Sequence, residues 1–284
     1  MKIIVTYTTW KKRILTSVDS VKAYLDKQTV KPDIVYCWLA EEEFPQKEAE
    51  LPKEFLDFIN EYKIVLGWTE KNEYCHKRWH VYDNAKHWED FVVSIDDDME
   101  YPANHIEAAL QVYAKHKMPV IIQDYEPFLT FSYNNDTLRI YNGISRFSNT
   151  LRFYGHSIFT PKSFPIDAWT PEMHKLRNTF CPRCDESWLM PFIIKHKTFI
   201  VSNDGAILSI KSIDSNLELE PIHDFFGTKL QVKDRFYTFS DVQQYIVLKK
   251  VPDLMRYWLE VFPGYNTTVL DSVDIAKLVE VVCK

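Results

Sequence analysis

Glycine is scarce in this sequence, with 6 residues in 284. No Gly-rich phosphate loop and no nucleophile elbow is recognisable, so the patterns of P-loop nucleotide-binding proteins and α/β-hydrolases are excluded. No apolar run reaches the roughly 18 residues that a membrane-spanning helix requires. We therefore expect no transmembrane segment, while peripheral association with a membrane stays open.

A basic block and a complete cysteine motif are also missing. The chain has 34 Lys and Arg against 40 Asp and Glu, a formal net charge of -6, so nucleic acid is not expected as a partner. The 5 cysteines follow no signal peptide, which predicts free thiols in a reducing cytoplasm. Cys181 and Cys184 have the spacing of half a zinc knuckle, but without a second pair a structural zinc there is not expected.

Large apolar residues, in contrast, are abundant. Hydrophobic residues make up 46% of the chain and aromatic residues 15%, enough apolar surface for a substantial core. Aromatic rings stack on sugars and bases, and they also fill protein interiors, so composition alone leaves both roles open.

Apolar runs with two different periods alternate along the first 125 residues. A β-rich run over 2–7, a helical pattern over 14–25 and a second β-rich run over 34–39 predict a βαβ unit and hence a parallel sheet. The same patterns predict strands at 63–66, 90–95, 120–122 and 199–201. Helices are predicted at about 103–116, 187–195, 242–249, 254–261 and 273–282.

This order predicts an α/β fold with a mixed, mostly parallel sheet flanked by helices and a helical C-terminal appendage. We expect one main domain over residues 1–237, with a nucleotide-binding half at 1–125 and an acceptor half at 126–237. The helical extension would cover 238–284.

The acidic run Asp96-Asp97-Asp98 follows the predicted strand at 90–95 directly. Adjacent carboxylates repel each other, and a divalent cation relieves that repulsion. Oxygen-only ligands favour Mg²⁺ or Mn²⁺, which could in turn hold a diphosphate leaving group. A solvated acidic loop or a helix N-cap is the alternative, but ligands of open α/β sheets bind beyond the carboxyl ends of strands, which favours the cation site.

Three further groups of polar residues could carry chemistry. Asp185-Glu186 opens an apolar helix, where a carboxylate could act as a general base or compensate the helix dipole. His223 could add an imidazole ligand, although a lone histidine is more often structural. The cluster His76-Lys77-Arg78 could grip phosphate or could lie on a solvated helix face.

Four segments, in the same order along the chain, together resemble bacterial GT-A-fold glycosyltransferases of the family-2-like, DxD-containing type. They touch the chain between residue 3 and about 195. The segments are Thr6–Arg13, Gln28–Asp33 followed by Trp38–Pro45, Ser94–Pro102, and Gly155–Pro161 with Cys181–Trp188. The chain departs from the family in carrying a single glycine at 153–156 and an Asp-Glu pair where two aspartates are usual.

The resemblance implies a GT-A, Rossmann-like fold, a nucleotide-diphosphate-sugar donor, preferably a UDP-sugar, and Mn²⁺ or Mg²⁺. Transfer would go to a hydroxyl of a glycan or lipid-linked acceptor, with inversion, in surface polysaccharide synthesis at the inner face of the cell membrane. For the donor and metal it implies these residues: Thr6, Tyr7 and Thr9 at the nucleoside; Arg13, Glu41, Lys77 and Asp97 also on the donor side; Asp98 as the main metal ligand; and Asp96 on the ribose or the metal. For the acceptor it implies Asp185 as the first candidate base and Glu186 as the second.

Two other readings of the same residues stay open at this point. A nucleotidyltransferase or sugar-nucleotide hydrolase could use the same metal site. A carbohydrate-binding protein could keep the fold without catalysis.

Overall fold

The computed structural model describes residues 1–123, 132–133, 136–137, 144–145, 157–182, 185–203, 211–212, 229–232 and 235–261. Among them are seven α-helices, which we number in chain order. They are α1 (Ile14–Lys27), α2 (Lys53–Glu61), α3 (His105–His116), α4 (Pro171–Phe180), α5 (Asp185–His196), α6 (Phe239–Lys250) and α7 (Pro252–Val261). Three 3₁₀ segments accompany them: Lys47–Glu50, Tyr74–Ala85 and Ile166–Trp169.

Eight strands of the described part form the main sheet. They are β1 (Ile3–Thr8), β2 (Ile34–Ala40), β3 (Val65–Thr69), β4 (Phe91–Ser94), β6 (Val120–Gln123), β9 (Ile144–Ser145), β10 (Ser157–Phe159) and β11 (Phe199–Ser202). Short two-stranded pairs are formed by β5 (Met99–Glu100) with β12 (Lys211–Ser212), β7 (Ser132–Tyr133) with β8 (Asp136–Thr137), and β13 (Lys229–Val232) with β14 (Arg235–Thr238).

The main sheet has the strand order β3-β2-β1-β4-β10-β6-β11-β9. Strands β1 to β4 run parallel to one another, and β6 runs parallel to β11. The strands β10 and β9 are antiparallel to their neighbours. The predicted mixed, mostly parallel α/β sheet is therefore confirmed.

Both faces of the sheet are buried, and alternate residues of each strand serve the two faces. Ile4 and Val92 belong to one apolar cluster together with residues of α5, α6 and α7. Val5 and Val93, their immediate neighbours, belong to a second cluster with residues of α1, α2 and α3. Because successive side chains of a strand point to opposite faces, a sheet covered on both sides needs such continuous apolar runs.

The predicted strand at 63–66 begins two residues later than expected. Lys63 has a left-handed backbone (φ 53) at the end of α2, and the Ile64 N–H still bonds to the Ile59 carbonyl. The regular strand can start only after this helix end, and β3 accordingly begins at Val65.

The predicted helical C-terminal segment is present over residues 239–261. Tyr245 and Leu248 of α6 and Leu254 of α7 are fully buried in the same cluster as α5. The predicted helix at 273–282 lies outside the described residues. Within the described part of the chain, no helix has both the length and the apolar character needed to cross a membrane.

Candidate nucleotide-sugar site

The acidic run lies at the point of the sheet where the order of strand addition along the chain changes sides. From β1 the chain adds β2 and then β3 on one side, and it returns to place β4 on the other side of β1. Such a switch point leaves a crevice beyond the carboxyl ends of the two strands, where open α/β sheets bind ligands. The loop after β1 and the run Asp96-Asp97-Asp98 after β4 both border this crevice.

Arg13, which directly precedes α1, links the two loops. Its Nη1 lies 2.7 Å from Asp97 Oδ1 and 3.0 Å from Asp98 Oδ2. The Ser20 hydroxyl of α1 donates to the Asp97 carbonyl in a short contact. The first helix therefore fixes both the side chain and the backbone of the acidic run.

Arg78 pairs with Asp96, the remaining aspartate of the run. Its Nη1 donates to Asp96 Oδ1 at 2.7 Å and to Ser94 Oγ at 3.2 Å. The Asp96 backbone N–H donates to the Tyr101 hydroxyl at 2.8 Å. Asp96 is thus held at both its side chain and its backbone.

Two guanidinium groups do not fully compensate three carboxylates. Burial, followed by the charges of Asp96 and Asp97, raises the pKa of Asp98 from 3.8 to about 6. Burial also raises the pKa of Asp97 against the effect of Arg13, and among the described residues the buried Asp97 Oδ2 has no hydrogen-bond partner. The site keeps a negative charge for which a cation would be a partner.

The donor set fits a hard divalent cation such as Mg²⁺ or Mn²⁺, because it consists of carboxylate oxygens only. The three carboxylates do not form a closed cage: within the described residues, three donor atoms lie within 4.8 Å of one another only at His80, Asp83 and His174. Mg²⁺ commonly binds through one or two carboxylates and completes its shell with water and substrate phosphates. An open acidic edge is compatible with that mode of binding.

Thr6 and Tyr7, predicted to line the nucleoside pocket, have no exposed surface in this structure. The Thr6 hydroxyl donates to the Arg78 carbonyl at 2.9 Å and accepts from Trp38 Nε1 at 3.1 Å. The Tyr7 ring belongs to the core cluster beneath α1. Both side chains are buried in this structure, and their contact with a nucleoside stays a prediction.

Lys77 and Thr9 form a buried anchor for the loop after β1. Lys77 Nζ donates to the Thr9 carbonyl at 3.0 Å and lies 3.5 Å from Glu43 Oε2. Only 2% of the Lys77 side chain is exposed, so the solvated helix face considered for His76-Lys77-Arg78 is wrong. Lys77 is held by these protein groups, and its predicted role at the diphosphate stays a prediction.

Glu41 lies apart from this cluster, at the surface. Its Oε1 pairs with Lys47 Nζ at 2.8 Å, and 38% of its side chain is exposed. Its backbone N–H donates to the Thr69 carbonyl at 2.8 Å and extends the pairing of β2 with β3. These contacts do not bring its carboxylate to the aspartates.

Asp185 is the first residue of α5, and its carboxylate is buried next to the acidic site. Its Oδ2 accepts a hydrogen bond from Trp79 Nε1 at 3.0 Å. Its charge acts on Arg78, the same guanidinium that pairs with Asp96. Glu186 lies in the first turn of the same helix, but its side chain is outside the described part, as is the whole of His223.

Arg78 and Trp79 connect Asp96 with Asp185, a role that the sequence does not predict for either residue. Arg78 belongs to the predicted cluster His76-Lys77-Arg78, and Trp79 follows it directly. An arginine beside a tryptophan gives no periodic signal, so only the tertiary structure reveals their partners.

No protein-family model and no curated protein matches this sequence. Among solved structures, the chain is similar to S. aureus TarS 1-349 in complex with UDP, at 14% identity and a TM-score of 0.40 over 71% of this chain and 57% of that one. It is also similar to S. aureus TarS 1-349, at 12% identity and a TM-score of 0.45 over 98% of this chain and 68% of that one. A third similar structure is S. aureus TarS 1-349 in complex with UDP-GlcNAc, at 11% identity and a TM-score of 0.39 over 94% of this chain and 74% of that one. Likeness at this level transfers neither function nor residue roles.

Proposed function

We propose that this protein is a metal-dependent glycosyltransferase that moves a sugar from a nucleotide-diphosphate donor to a hydroxyl acceptor. The observation that carries the proposal is the incompletely neutralised run Asp96-Asp97-Asp98 at the switch point of the sheet, tied by Arg13 to the loop after β1. This is the place where an open α/β sheet binds nucleotides, and its surplus negative charge suits a cation that bridges to a diphosphate.

The residues divide into those that hold the donor and those that hold the loops. Asp98, whose pKa is raised to about 6, would be the principal metal ligand, with Asp96 or Asp97 as the second. A bound Mg²⁺ or Mn²⁺ would supply positive charge to the departing diphosphate. Arg13 and Arg78 orient the carboxylates, so that little reorganisation is required during the reaction.

Asp185 is the proposed general base. In an inverting transfer the acceptor oxygen attacks the anomeric carbon, the bond from that carbon to the diphosphate oxygen breaks, and the acceptor proton moves to the Asp185 carboxylate. Trp79 fixes the orientation of this carboxylate, and general-base catalysis commonly contributes about 10²–10⁴-fold in rate. Glu186 remains the second candidate for the same role.

The substrates follow from the sequence resemblance. We propose a UDP-sugar donor and a glycan or lipid-linked acceptor, in surface polysaccharide synthesis on the cytoplasmic side of the membrane. These assignments supply the reagents for the first assays.

Thermal unfolding with UDP, GDP, CMP and TDP, each with and without Mn²⁺, tests the donor site. A ligand at 100 times its dissociation constant stabilises the fold by about 2.7 kcal/mol, so one nucleotide should raise the melting temperature and should do so more strongly with Mn²⁺. Asp98→Asn should lose the Mn²⁺-dependent part of this shift. Asp57→Asn, at an exposed pair with Lys53, is the matched control and should keep it.

Asp185→Asn separates chemistry from binding. It should keep the nucleotide-dependent rise in melting temperature and lose sugar transfer.

Unchanged Mn²⁺-dependent nucleotide binding by Asp98→Asn would contradict the proposed donor site.

A further inference from the structure

Three metal-ligand side chains meet where the 3₁₀ segment Tyr74–Ala85 packs near α4. His80, Asp83 and His174 each offer a ligand atom, and these atoms all lie within 4.8 Å of one another. Two of the residues come from the 3₁₀ segment and the third from the first half of α4. The group shares no residue with Asp96-Asp97-Asp98.

The backbone of the segment turns Asp83 toward the other two residues. The helical conformation stops at Asp83 (φ -53, ψ 136), and Asn84 is left-handed (φ 55, ψ 34). In this arrangement Asp83 Oδ2 lies 2.7 Å from His80 Nδ1, and Asp83 Oδ1 lies 3.5 Å from His174 Nε2. One carboxylate thus reaches both imidazoles.

Two atoms of the group are buried without a hydrogen bond among the described residues: Asp83 Oδ1 and His174 Nε2. Such atoms are uncommon in folded proteins, and a bound ion is one explanation for them. Ligand bonds of about 2.0–2.1 Å at tetrahedral angles place two zinc ligands roughly 3.3 Å apart. The 3.5 Å between these two atoms is close to that spacing.

A carboxylate already faces the other ring nitrogen of His80. Its Nε2 faces Glu73 Oε2 at 2.7 Å, and Glu73 in turn contacts Arg177 and accepts from Asn178 Nδ2 at 2.7 Å. Metal-bound histidines typically donate their other N–H to a carboxylate held in this way, which fixes the ring and its tautomer.

Zinc binds the neutral imidazole of a histidine, so binding releases any proton held at the ligand nitrogen. His80 faces a carboxylate at each nitrogen, so a metal at Nδ1 would displace the proton there and release it to solvent.

We propose that His80, Asp83 and His174 bind one Zn²⁺ ion, with a water molecule as the fourth ligand. Two imidazoles and one carboxylate suit zinc, whereas the all-carboxylate run suits Mg²⁺ or Mn²⁺. The ion would fasten the 3₁₀ segment to α4. This site is independent of the proposed glycosyltransferase function, and either can fail without the other.

The test uses the full chain without a histidine tag, stripped with EDTA and dialysed against ZnSO₄. Metal analysis should find one zinc per wild-type chain. Excess zinc at 100 times the dissociation constant should raise the melting temperature by about 5 °C or more. Co²⁺ in place of Zn²⁺ should give the intense visible absorption of a tetrahedral site.

Four variants define which residues hold the ion. His174→Gln and, should that variant fold poorly, Asp83→Asn should lose both the bound zinc and the thermal shift. Glu73→Gln should weaken the affinity about 10–100-fold, because the Glu73 carboxylate holds the other ring nitrogen of His80. His116→Gln, at the end of α3 and outside the group, is the matched control and should bind zinc like the wild type.

Wild-type protein without zinc, or equal zinc binding by wild type and His174→Gln, would overturn the proposal. Asp98→Asn should retain the zinc, which separates this site from the donor site.

Discussion

Asp98→Asn should make the metal-free protein more stable, although it removes a residue proposed for function. The fold raises the pKa of Asp98 from 3.8 to about 6, so the ionised carboxylate is disfavoured in the folded state. One pKa unit corresponds to about 1.4 kcal/mol, which gives a penalty of about 3 kcal/mol once Asp98 is fully ionised in both states. The amide resembles the neutral acid and does not incur this penalty, and Arg13 keeps Asp97 as a partner.

The sign of the pH dependence follows from the direction of the shift. A group with a raised folded pKa contributes stability that is complete below its unfolded pKa and is lost as pH rises through its folded pKa. The advantage of Asp98→Asn should therefore grow from about 1–2 kcal/mol at pH 5 to about 3 kcal/mol at pH 8.

Urea denaturation of both proteins at several pH values, with EDTA present, measures this difference directly. Comparing variant and wild type at each pH cancels the titration of groups that they share. Asp57→Asn should show no comparable pH trend, because its exposed pair with Lys53 lies outside the site. A variant less stable than wild type at pH 8, or an advantage that does not grow between pH 5 and pH 8, would refute the reasoning.

Three further substitutions test the supports of the site. Thr6→Val should lower the free energy of unfolding by about 1–3 kcal/mol in urea melts, because Trp38 Nε1 loses its acceptor, whereas Thr6→Ser should restore most of it. Gly67→Ala is a change that is ordinarily neutral or stabilising in a strand. Here it should lower the free energy of unfolding by about 1–3 kcal/mol, because the added Cβ would lie 2.2 Å from the Trp38 ring. A stabilised variant would contradict this packing. Trp79→Phe removes the hydrogen bond to the Asp185 carboxylate, and this loss favours the protonated form of Asp185. In the pH profile of sugar transfer, the acid limb should therefore move to higher pH. An unmoved limb would argue against Asp185 as the base.

The repetitive part of the fold could be predicted from the sequence because strand and helix periods are written in consecutive residues. The pattern over 14–25 predicted α1, and the run over 34–39 predicted β2 almost to its ends. The helix α2 was not predicted. It has only nine residues, and only Phe55, Phe58 and Ile59 of them are buried, so its apolar signal is short.

The candidate site was predicted in outline but not in its contacts. A carboxylate run at a strand end indicates a charge that needs a partner, and the sequence suggested a metal for that role. The structure supplies two protein partners first, Arg13 and Arg78, which lie 84 and 18 positions away from their carboxylates. Pairing over such separations leaves no trace in local sequence patterns. For the same reason, the sequence does not indicate that His174 lies close to His80 and Asp83.

The segment Tyr74–Ala85 carries residues of both the candidate nucleotide-sugar site and the proposed zinc site. Arg78 and Trp79 hold Asp96 and Asp185, and both act through side chains carried by this segment. A 3₁₀ conformation gives poorer hydrogen-bond geometry than an α-helix, and runs beyond three or four residues are uncommon. The segment Tyr74–Ala85, which is interrupted by the kink at Asp83 and Asn84, therefore depends on tertiary contacts for its position. An ion at His80 would fix the backbone one residue after Trp79, and with it the orientation of the proposed base.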